Sequence, residues 1–496
     1  MPESHPSFLI VSFDGLRPDL VSPELTPHLC RLQNLGVTLS EHRTVYPSET
    51  RSSFPSLVTG ATTDKHGMVG NKYVDRKTRP PRYIDTSDTG LLRRLDRESG
   101  GRLMSAPTLG ELLARSGRSL AVLATNTSGT TRLFHHKAED VNHIRLSSHY
   151  RQACTPETVL ETAETRLGPL PPETPPDEPN YAAQEWITSA FLEFIRPDFR
   201  PDVTVLSYGE PDVCSHYHGT CAPKTRSMIA HCDGQFGRVM DWWEAEGRQA
   251  GVQIIAISDH GHITGHTRVC VMDDLQTAGF SPAPAPGPEI DVVVVPGQVG
   301  ALYLTDPTVN RIEKLVETVT GQPWCGPVFT APRNGTKGII CGTLGRHLVF
   351  ADHHRAPDVY FAFRADDRVD PHGLVGGTYH EHDRGVGLGV HGGLHPMELA
   401  ALGIVAGTCF PAAGSVSKTP TGICDFAPTI LSLFGMAVPK TMTGRVLDEV
   451  TDTLSPTELN IRSETYVARR GNYRQVLQRI RAGATCYIKS GTAEGP

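Results

Sequence analysis

Six side chains with metal-ligating groups lie where predicted strands or glycine-bearing turns end: Asp14, Asp212, His216, Asp259, His260 and His391. The carboxyl ends of parallel strands meet along one edge of a sheet, so we expect these groups to converge there. Asp212 and His216 are four residues apart, a spacing that places both on one face of a helical turn. Carboxylate oxygens and imidazole nitrogens are ligands that zinc-like ions prefer, and the pattern therefore predicts a metal site.

Thr50 adds a hydroxyl to this set. It lies between a predicted extended segment and a short helix, where free backbone N–H groups favour an anion. Two divalent ions about 4 Å apart can hold the attacking and leaving oxygens of an in-line displacement at phosphorus. A threonine hydroxyl is a weak nucleophile, and metal coordination is one way to activate it. Carboxylates, imidazoles and hydroxyl together predict phosphoryl chemistry on two metal ions.

The elements that position these residues alternate between strand and helix patterns. Buried strands are predicted at residues 8–13, 119–124, 203–206 and 254–257, and helices at 26–36, 108–117, 181–195 and 226–244. This alternation predicts an α/β fold with a doubly wound, mostly parallel sheet flanked by helices. A further short helix ends at Gly60 and is expected to have Pro55 in its first turn, because proline has no N–H to donate.

The chain is predicted to divide into four regions. Residues 1–275 form the first part of a catalytic core, 276–370 a smaller inserted α+β subdomain, 371–450 the rest of the core, and 451–496 a peripheral tail. Residues 61–104 and 366–395 are predicted as loops beside the site because of their polar, glycine-bearing composition. The tail is expected to contain one helix, around residues 474–481.

Composition and charge argue against several classes of protein. The net charge of −7, without a lysine or arginine block, disfavours a nucleic-acid polymer or a membrane surface as partner. The first apolar run, at residues 8–11, is too short for a signal peptide or a membrane span. Eleven scattered cysteines without a Cys-x-x-Cys pair indicate free thiols in a reducing compartment. We therefore expect a cytoplasmic enzyme with a small-molecule substrate. Its oligomeric state is left undecided, with a homodimer as one option.

Several motifs occur in an order that resembles a known superfamily. They are Phe13-Asp14-Gly15, Thr50 with Leu57-Val58-Thr59-Gly60, His66-Gly67-Met68-Val69-Gly70-Asn71, Glu210-Pro211-Asp212 with His216, Ser258-Asp259-His260-Gly261 and His391-Gly392-Gly393. Over roughly residues 8–450 the chain resembles the alkaline phosphatase superfamily, and more closely its nucleotide pyrophosphatase/phosphodiesterase branch, which includes phosphonoacetate hydrolase. Two other classes are a phosphomutase, which would use serine and a further inserted domain, and an inactive binding module, which would have lost ligands.

The resemblance implies an alkaline phosphatase-like fold and two metal ions, which we expect to be zinc. Asp212, His216 and His391 are implied to bind one ion, and Asp14, Asp259, His260 and Thr50 the other. Thr50 is also the implied nucleophile of a phosphothreonyl intermediate. Asn71 is implied to donate its amide N–H to a phosphoryl oxygen.

The residues near Thr50 include few charged side chains that could bind the phosphoryl group, and this indicates the charge of the substrate. Ser53 stands where many superfamily members have an asparagine and is expected to donate one hydrogen bond. Arg51, beside the nucleophile, either steers an anionic substrate or forms a surface ion pair. Two metals with neutral donors suit a singly charged diester better than a dianionic monoester, because less charge has to be balanced. We therefore expect cleavage of phosphodiester or pyrophosphate bonds.

The alternative is cleavage of the carbon–phosphorus bond of a small phosphonate. Phosphonoacetate hydrolase has two lysines where this chain has Thr125 and Thr127, although Arg132 or Lys137 is placed to reach the same space. The segment at residues 380–383 is either an outer contact of the metal site or a solvated loop.

Overall fold

The computed structural model describes residues 6–295, 297, 299–381, 383–451 and 459–495, and its core is an eight-stranded sheet. In spatial order the strands are Ser415–Ser417, Val37–Leu39, Gly403–Ala406, Val252–Ile257, Ser7–Asp14, Val203–Pro211, Leu120–Ala124 and Ile144–Ser147. Gly403–Ala406 runs antiparallel to both neighbours, and the other pairs are parallel. The predicted α/β fold with a mostly parallel sheet is confirmed.

Helices cover both faces of this sheet because its central strands are apolar on both sides. Along Ser7–Asp14, Leu9 and Val11 face one hydrophobic cluster, and Phe8 and Ile10 face the other. The helices of the first face include Pro27–Leu35, Glu157–Leu167, Tyr181–Ser189 and Pro223–Trp242; those of the second include Thr50–Thr59, Leu109–Arg115, Ser128–Phe134 and Phe426–Leu433. Within the described ranges, no helix has the length and apolar character needed to cross a membrane.

A second sheet lies within the region predicted as an insertion. Its six strands, in spatial order, are Pro282–Ala283, Val292–Val295, Val299–Leu304, Val359–Phe363, Cys325–Thr330 and Leu344–Gly345. The helix Val309–Thr320 packs its Ile312, Leu315 and Val319 into the same apolar cluster as these strands. The boundaries 276–370 themselves stay a prediction.

A four-stranded sheet includes strands from residues 366–395, so the prediction of a loop over this region was wrong. Its strands, in spatial order, are Ala365–Val369, Val375–His380, Ile263–Arg268 and Gly389–Val390. The first strand is mostly exposed and polar, so it lacks the apolar alternation by which a strand is recognised. Backbone pairing with Val375–His380 defines it instead.

The predicted loop at 61–104 also contains regular structure. It holds the short helix Thr63–His66, a hairpin of Lys72–Asp75 with Arg82–Asp85, and the helix Thr89–Glu98. Asp88 caps the last helix by accepting from the backbone N–H groups of Gly90 and Leu91. The helix that carries Thr50 begins at Thr50 itself, so Pro55 lies in its interior rather than in its first turn.

The C-terminal tail is a three-stranded antiparallel sheet, not a peripheral segment with a helix. Its strands are Ile461–Arg470, Tyr473–Ala482 and Thr485–Glu494. Burial alternates along the middle strand, where Tyr473, Gln475 and Leu477 face inward, and this period of two rules out the predicted helix. Gly471 and Gly483 adopt positive φ at the two turns and close the hairpins.

Candidate active site

The predicted ligands meet at the carboxyl edge of three adjacent strands. Asp14 ends strand Ser7–Asp14, Asp212 follows Val203–Pro211, and Asp259 and His260 follow Val252–Ile257. The strand of Asp14 lies between the other two, so its carboxylate stands between theirs. Thr50 arrives as the first residue of helix Thr50–Thr59, and His391 follows the short strand Gly389–Val390. Five separate segments of the chain therefore converge on one place.

The first centre comprises Asp212, His216 and His391. Oδ1 of Asp212 lies 3.4 Å from Nε2 of His216 and 3.4 Å from Nε2 of His391. The two Nε2 atoms are 3.2 Å apart. Asp212 and His216 lie on the helix Asp212–His218 at the predicted spacing of four, which turns both toward the sheet edge.

The second centre comprises Asp14, Asp259, His260 and Thr50. Nε2 of His260 lies 3.2 Å from Oγ1 of Thr50, 3.3 Å from Oδ2 of Asp259 and 3.6 Å from Oδ1 of Asp14. All of these side chains are buried. The His260 ring stacks on that of His391 with centroids 3.7 Å apart, so the two centres adjoin.

The donor atoms of both centres fit metal ions. Oδ1 of Asp14, Oδ1 of Asp212 and Oδ2 of Asp259 are buried and have no hydrogen-bond partner in the part of the chain that the structure describes. A buried carboxylate oxygen without a partner is costly, and a cation removes that cost. For zinc bonds of about 2.0–2.1 Å, the donors of a tetrahedral site lie about 3.3–3.4 Å apart. The separations in both centres, from 3.2 to 3.6 Å, are close to that value.

The protonation of these groups also suits a cation. Burial and the charges of Asp259 and Asp212 raise the pKa of Asp14 well above its usual value. Burial would likewise raise the pKa of Asp212, but the neighbouring imidazoles outweigh burial and hold that pKa well below its usual value. Burial lowers the pKa of His216 to about 3. A cation at this place would relieve the repulsion among the three carboxylates, and a neutral imidazole such as that of His216 would offer it a lone pair.

Backbone and amide groups hold the ligands in place. His216 and His391 direct Nδ1 to the carbonyl oxygens of Gly389 and Ser48, each at 2.8 Å. Such contacts fix the tautomer so that Nε2 faces the centre. Oδ1 of Asp259 accepts a hydrogen bond of 3.0 Å from the N–H of Gly15.

Asn126 is a site residue that the sequence analysis missed. Its amide donates to Oδ2 of Asp14 at 2.7 Å, and its own carbonyl oxygen accepts from the Ser207 hydroxyl at 2.7 Å. Asn126 follows the strand Leu120–Ala124, just as Asp14 and Asp259 end or follow theirs. A polar residue after a fourth buried strand was the signal that could have identified it.

The predicted substrate-binding residues divide into two groups. Arg51 and Asn71 line the cleft above Thr50, and Oδ1 of Asn71 accepts from the N–H of Arg51 at 3.0 Å. The Arg51 guanidinium contacts Thr86 at 2.9 Å and lies 3.8 Å from Asp85. Ser53 is fully buried and its hydroxyl bonds to Thr44 at 2.6 Å, so the structure does not bring it to the cleft.

The cleft has two lobes that share Thr50, Arg51 and Asp212. One lobe, of about 620 Å³, which we call the basic lobe, is lined by Tyr217 and by the basic residues Arg51, Lys72, Arg268 and Arg384. The carboxylates of Glu49, Glu381 and Asp383 also line it. The other, of about 350 Å³, is rich in hydroxyl and amide groups, among them Thr125, Thr127, Tyr150, Thr174 and Asn180. Its charged or titratable lining includes Arg51, His149, Glu173, Glu178 and Glu210.

Neither alternative cation proposed for a phosphonate lines these lobes. Arg132 pairs with Glu139 at 2.7 Å, and Lys137 pairs with Asp96 at 2.6 Å. Of the segment 380–383, Glu381 and Asp383 line the basic lobe, and His382 lies outside the described residues. Glu381 accepts a hydrogen bond from the N–H of Val271 at 2.8 Å.

The sheet and the carboxylate–imidazole cluster at its edge agree with the alkaline phosphatase-like fold that the motifs imply. The chain belongs to the type I phosphodiesterase/nucleotide pyrophosphatase family, whose family model matches residues 8–336. The resemblance predicted from the motifs is therefore confirmed.

Relatives within this family are distant in sequence. The ectonucleotide pyrophosphatase/phosphodiesterase family member 1 of Rattus norvegicus is 24% identical over 258 residues, which are 52% of this chain and 24% of that protein. A bis(5'-adenosyl)-triphosphatase of Xenopus laevis is 32% identical over 84 residues, 17% of this chain and 19% of its own length. The structure of murine ectonucleotide pyrophosphatase/phosphodiesterase 5 matches with a TM-score of 0.60 at 17% identity, covering 90% of this chain and 100% of that one. This last likeness shows the fold.

Proposed function

We propose that this chain is a two-metal hydrolase that cleaves phosphodiester or pyrophosphate bonds through a phosphothreonyl intermediate on Thr50. The observation that carries the proposal is the position of the Thr50 hydroxyl. It lies at the N-terminus of a helix, lines both lobes of the cleft, and is 3.2 Å from Nε2 of His260 in the second centre. A nucleophile needs both an activating partner and access to substrate, and Thr50 has both.

The two centres would each hold one divalent ion, for which we propose zinc. Asp212, His216 and His391 would hold one ion, and Asp14, Asp259, His260 and Thr50 the other. When bound, such ions lower the pKa of a coordinated hydroxyl and neutralise charge on phosphoryl oxygens. The mixed nitrogen and oxygen donors are those that zinc prefers.

The side chains have separate tasks in the proposed reaction. Oγ1 of Thr50 attacks phosphorus, the leaving group departs on the opposite side, and water later hydrolyses the phosphothreonyl ester. The carbonyl oxygen of the Asn71 side chain is already engaged by the N–H of Arg51, which leaves the amide N–H groups for a phosphoryl oxygen. Donors held in place before the reaction stabilise charge without reorganisation.

The two lobes of the cleft support a substrate with two substituents on phosphorus. The basic lobe suits an anionic leaving group such as a nucleotide or a further phosphate, and the hydroxyl-rich lobe suits a neutral polar group. A phosphate monoester would leave one lobe empty and forgo its binding energy. A nucleotide as one substituent is also supported by relatives: one is named a bis(5'-adenosyl)-triphosphatase, and an inactive variant of the murine protein is known in complex with AMP.

Cleavage of a small phosphonate has less support. Thr125 is engaged by Gln184 and by the N–H of Gly209, and Arg132 and Lys137 are paired away from the cleft. Arg132 and Lys137 were the two cations expected to take the place of the two lysines of phosphonoacetate hydrolase.

The partner we propose is a small-molecule diester or nucleotide, not a nucleic-acid polymer or a membrane. The eleven free cysteines support a reducing compartment, for which we propose the cytoplasm, and a homodimer is a further proposal for light scattering to test.

A panel of nucleotide diesters, phosphate monoesters and small phosphonates tests the function. We expect kcat/KM for diesters to exceed that for monoesters by more than about tenfold, or about 1.4 kcal/mol in transition-state binding. Activity should disappear with a chelator and return with zinc. Monoesters leading by the same factor would overturn the choice of diesters, and phosphonates leading would establish the alternative.

A further inference from the structure

We infer that His262 is a fourth protein donor to the first centre. Neither the motifs nor the ligand set that they imply includes this residue. His262 immediately precedes the strand Ile263–Arg268 and is fully buried. The inference rests on the two-metal site of the proposed function. It adds an imidazole to that site from the segment that joins the strands Val252–Ile257 and Ile263–Arg268.

The first observation is that His262 is held in the same way as the two imidazoles of the first centre. Its Nδ1 lies 3.0 Å from the carbonyl oxygen of Gly15, as Nδ1 of His216 and of His391 lie 2.8 Å from backbone carbonyls. A carbonyl oxygen only accepts, so Nδ1 is the donor, and in that tautomer Nε2 has a lone pair. This arrangement fixes a histidine as a metal ligand through Nε2.

The second observation is where that lone pair lies. Nε2 of His262 is 3.1 Å from Oδ1 of Asp212, and neither atom has a hydrogen bond of acceptable geometry within the described ranges. The same oxygen is 3.4 Å from Nε2 of both His216 and His391. One carboxylate oxygen is therefore surrounded by three imidazole nitrogens at the spacing expected of donors around one zinc ion, about 3.3 Å. Two buried lone pairs in contact repel unless a cation lies between them.

The third observation is that the backbone makes room for this ring. A Cβ on Gly15 would lie 2.3 Å from Cε1 and 2.8 Å from Nδ1 of His262, and Gly15 has a φ of +70°. Only glycine therefore permits the imidazole to reach Asp212. Ligand atoms of Asp212, His260, His262 and His391 lie within 4.8 Å of one another, which places His262 inside the cluster rather than around it.

His262 changes the chemistry expected of the first centre. Three imidazole nitrogens and one carboxylate oxygen make it nitrogen-rich, whereas the second centre has one nitrogen and three oxygen donors. Catalytic zinc sites usually have three protein ligands and one open position. With four protein donors, binding of water or substrate at the first centre requires expansion to five ligands.

X-ray absorption at the zinc edge of the full-length, zinc-loaded protein tests the inference. We expect four imidazoles shared by two ions, the three of the predicted set, His216, His260 and His391, with His262 added. Three imidazoles per two ions would overturn it, and this measurement needs no variant.

The variant His262→Gln separates a ligand from a residue that merely positions Asp212. The glutamine amide can donate a hydrogen bond to Asp212 but has no nitrogen lone pair for a metal. We expect it to lose one imidazole per pair of ions, to change the visible spectrum of the Co²⁺-loaded protein, and to weaken the affinity of the first centre more than about 100-fold, beyond the 10–100-fold of outer contacts. His266→Gln, four residues further along the chain and outside the cluster, is the matched control and should change none of these.

The outcomes separate this inference from the proposed function. Unchanged imidazole count and spectrum in His262→Gln would refute a ligand role, even if affinity fell. A protein that binds zinc through four imidazoles but hydrolyses no diester would retain the inference and lose the proposed function. A protein that binds no divalent ion would refute both.

Discussion

The two centres adjoin at the stacked rings of His260 and His391, yet the chain builds them from different parts of the fold. Asp14 and Asp259 of the second centre come from paired strands in the middle of the main sheet. In the first centre, His391 follows a strand of the small four-stranded sheet, and His262 immediately precedes another strand of that sheet. The second centre therefore belongs to the main sheet and its helices, whereas the first joins the main sheet to the small four-stranded sheet.

This difference suggests a division of labour. The second centre is rich in oxygen donors and includes the Thr50 hydroxyl, so in the proposed function it activates the nucleophile. The first centre is rich in imidazole, and the proposed nucleophile is not among its donors. In the proposed function it binds its metal tightly and takes the substrate or water. A change at either centre should therefore have its own signature.

The largest effect is expected from Thr50→Ala. The substitution removes the proposed nucleophile but leaves two carboxylates and one imidazole at the second centre, so we expect turnover to fall by several orders of magnitude while two metals remain bound. Diester hydrolysis and elemental analysis on the same sample measure both quantities. Ser53→Ala, on the same helix but bonded to Thr44, is the control and should retain turnover. Near-normal turnover of Thr50→Ala would refute the covalent route.

Loss of a ligand should distinguish the centres by metal count. We expect Asp212→Asn and Asp259→Asn each to bind one ion instead of two, because an amide oxygen is a much weaker ligand than a carboxylate. Removing the Asp212 charge should empty only the first centre, and removing that of Asp259 only the second. His353→Asn, outside both clusters, should keep two ions. If either aspartate variant lost both ions, the centres would not be independent.

The sequence predicted that these side chains converge because each of them follows a recognisable pattern, and their role as ligands stays a prediction. Apolar strands end at, or are followed by, Asp14, Asp212, Asp259 and His260. In parallel sheets, side chains at the carboxyl ends of the strands generally lie along one edge. Asn126 also follows a buried strand, so its position at the end of that strand could have identified it. His262 was missed for another reason: its role depends on Gly15, which is 247 residues away along the chain.

The weakly patterned regions show where sequence periodicity carries little information. The strand Ala365–Val369 is mostly exposed, and Tyr473–Ala482 mixes arginines with apolar residues, so neither had a clear period in sequence. Their conformation depends on pairing with partners elsewhere in the chain. Ser53 was assigned to substrate by analogy, but helix Thr50–Thr59 turns it toward Thr44.

Asn126→Ala should weaken the second centre alone. Asn126 donates to Oδ2 of Asp14 at 2.7 Å and so orients Oδ1 toward His260. Loss of such an outer contact typically costs 10–100-fold in metal affinity, and we expect about that decrease for the more weakly bound ion. Competition with a chromophoric chelator measures both affinities. A similar loss at the first centre would show that Asp14 is shared between the centres.

The smallest effect on rate is expected from exchanging the metal at the second centre. Oxygen donors accept Mn²⁺ readily, whereas imidazole-rich sites favour zinc. On incubation with excess Mn²⁺, we therefore expect one zinc to be replaced and one retained, with turnover changed by no more than about tenfold, or about 1.4 kcal/mol in the barrier. Elemental analysis gives the ratio, and the electron paramagnetic resonance spectrum of Mn²⁺ reports an oxygen-rich environment. In Asp259→Asn, which lacks a carboxylate of the second centre, bound Mn²⁺ should be lost while the zinc remains. Replacement of both ions, or of neither, would mean that the difference in donors does not govern which metal each centre holds.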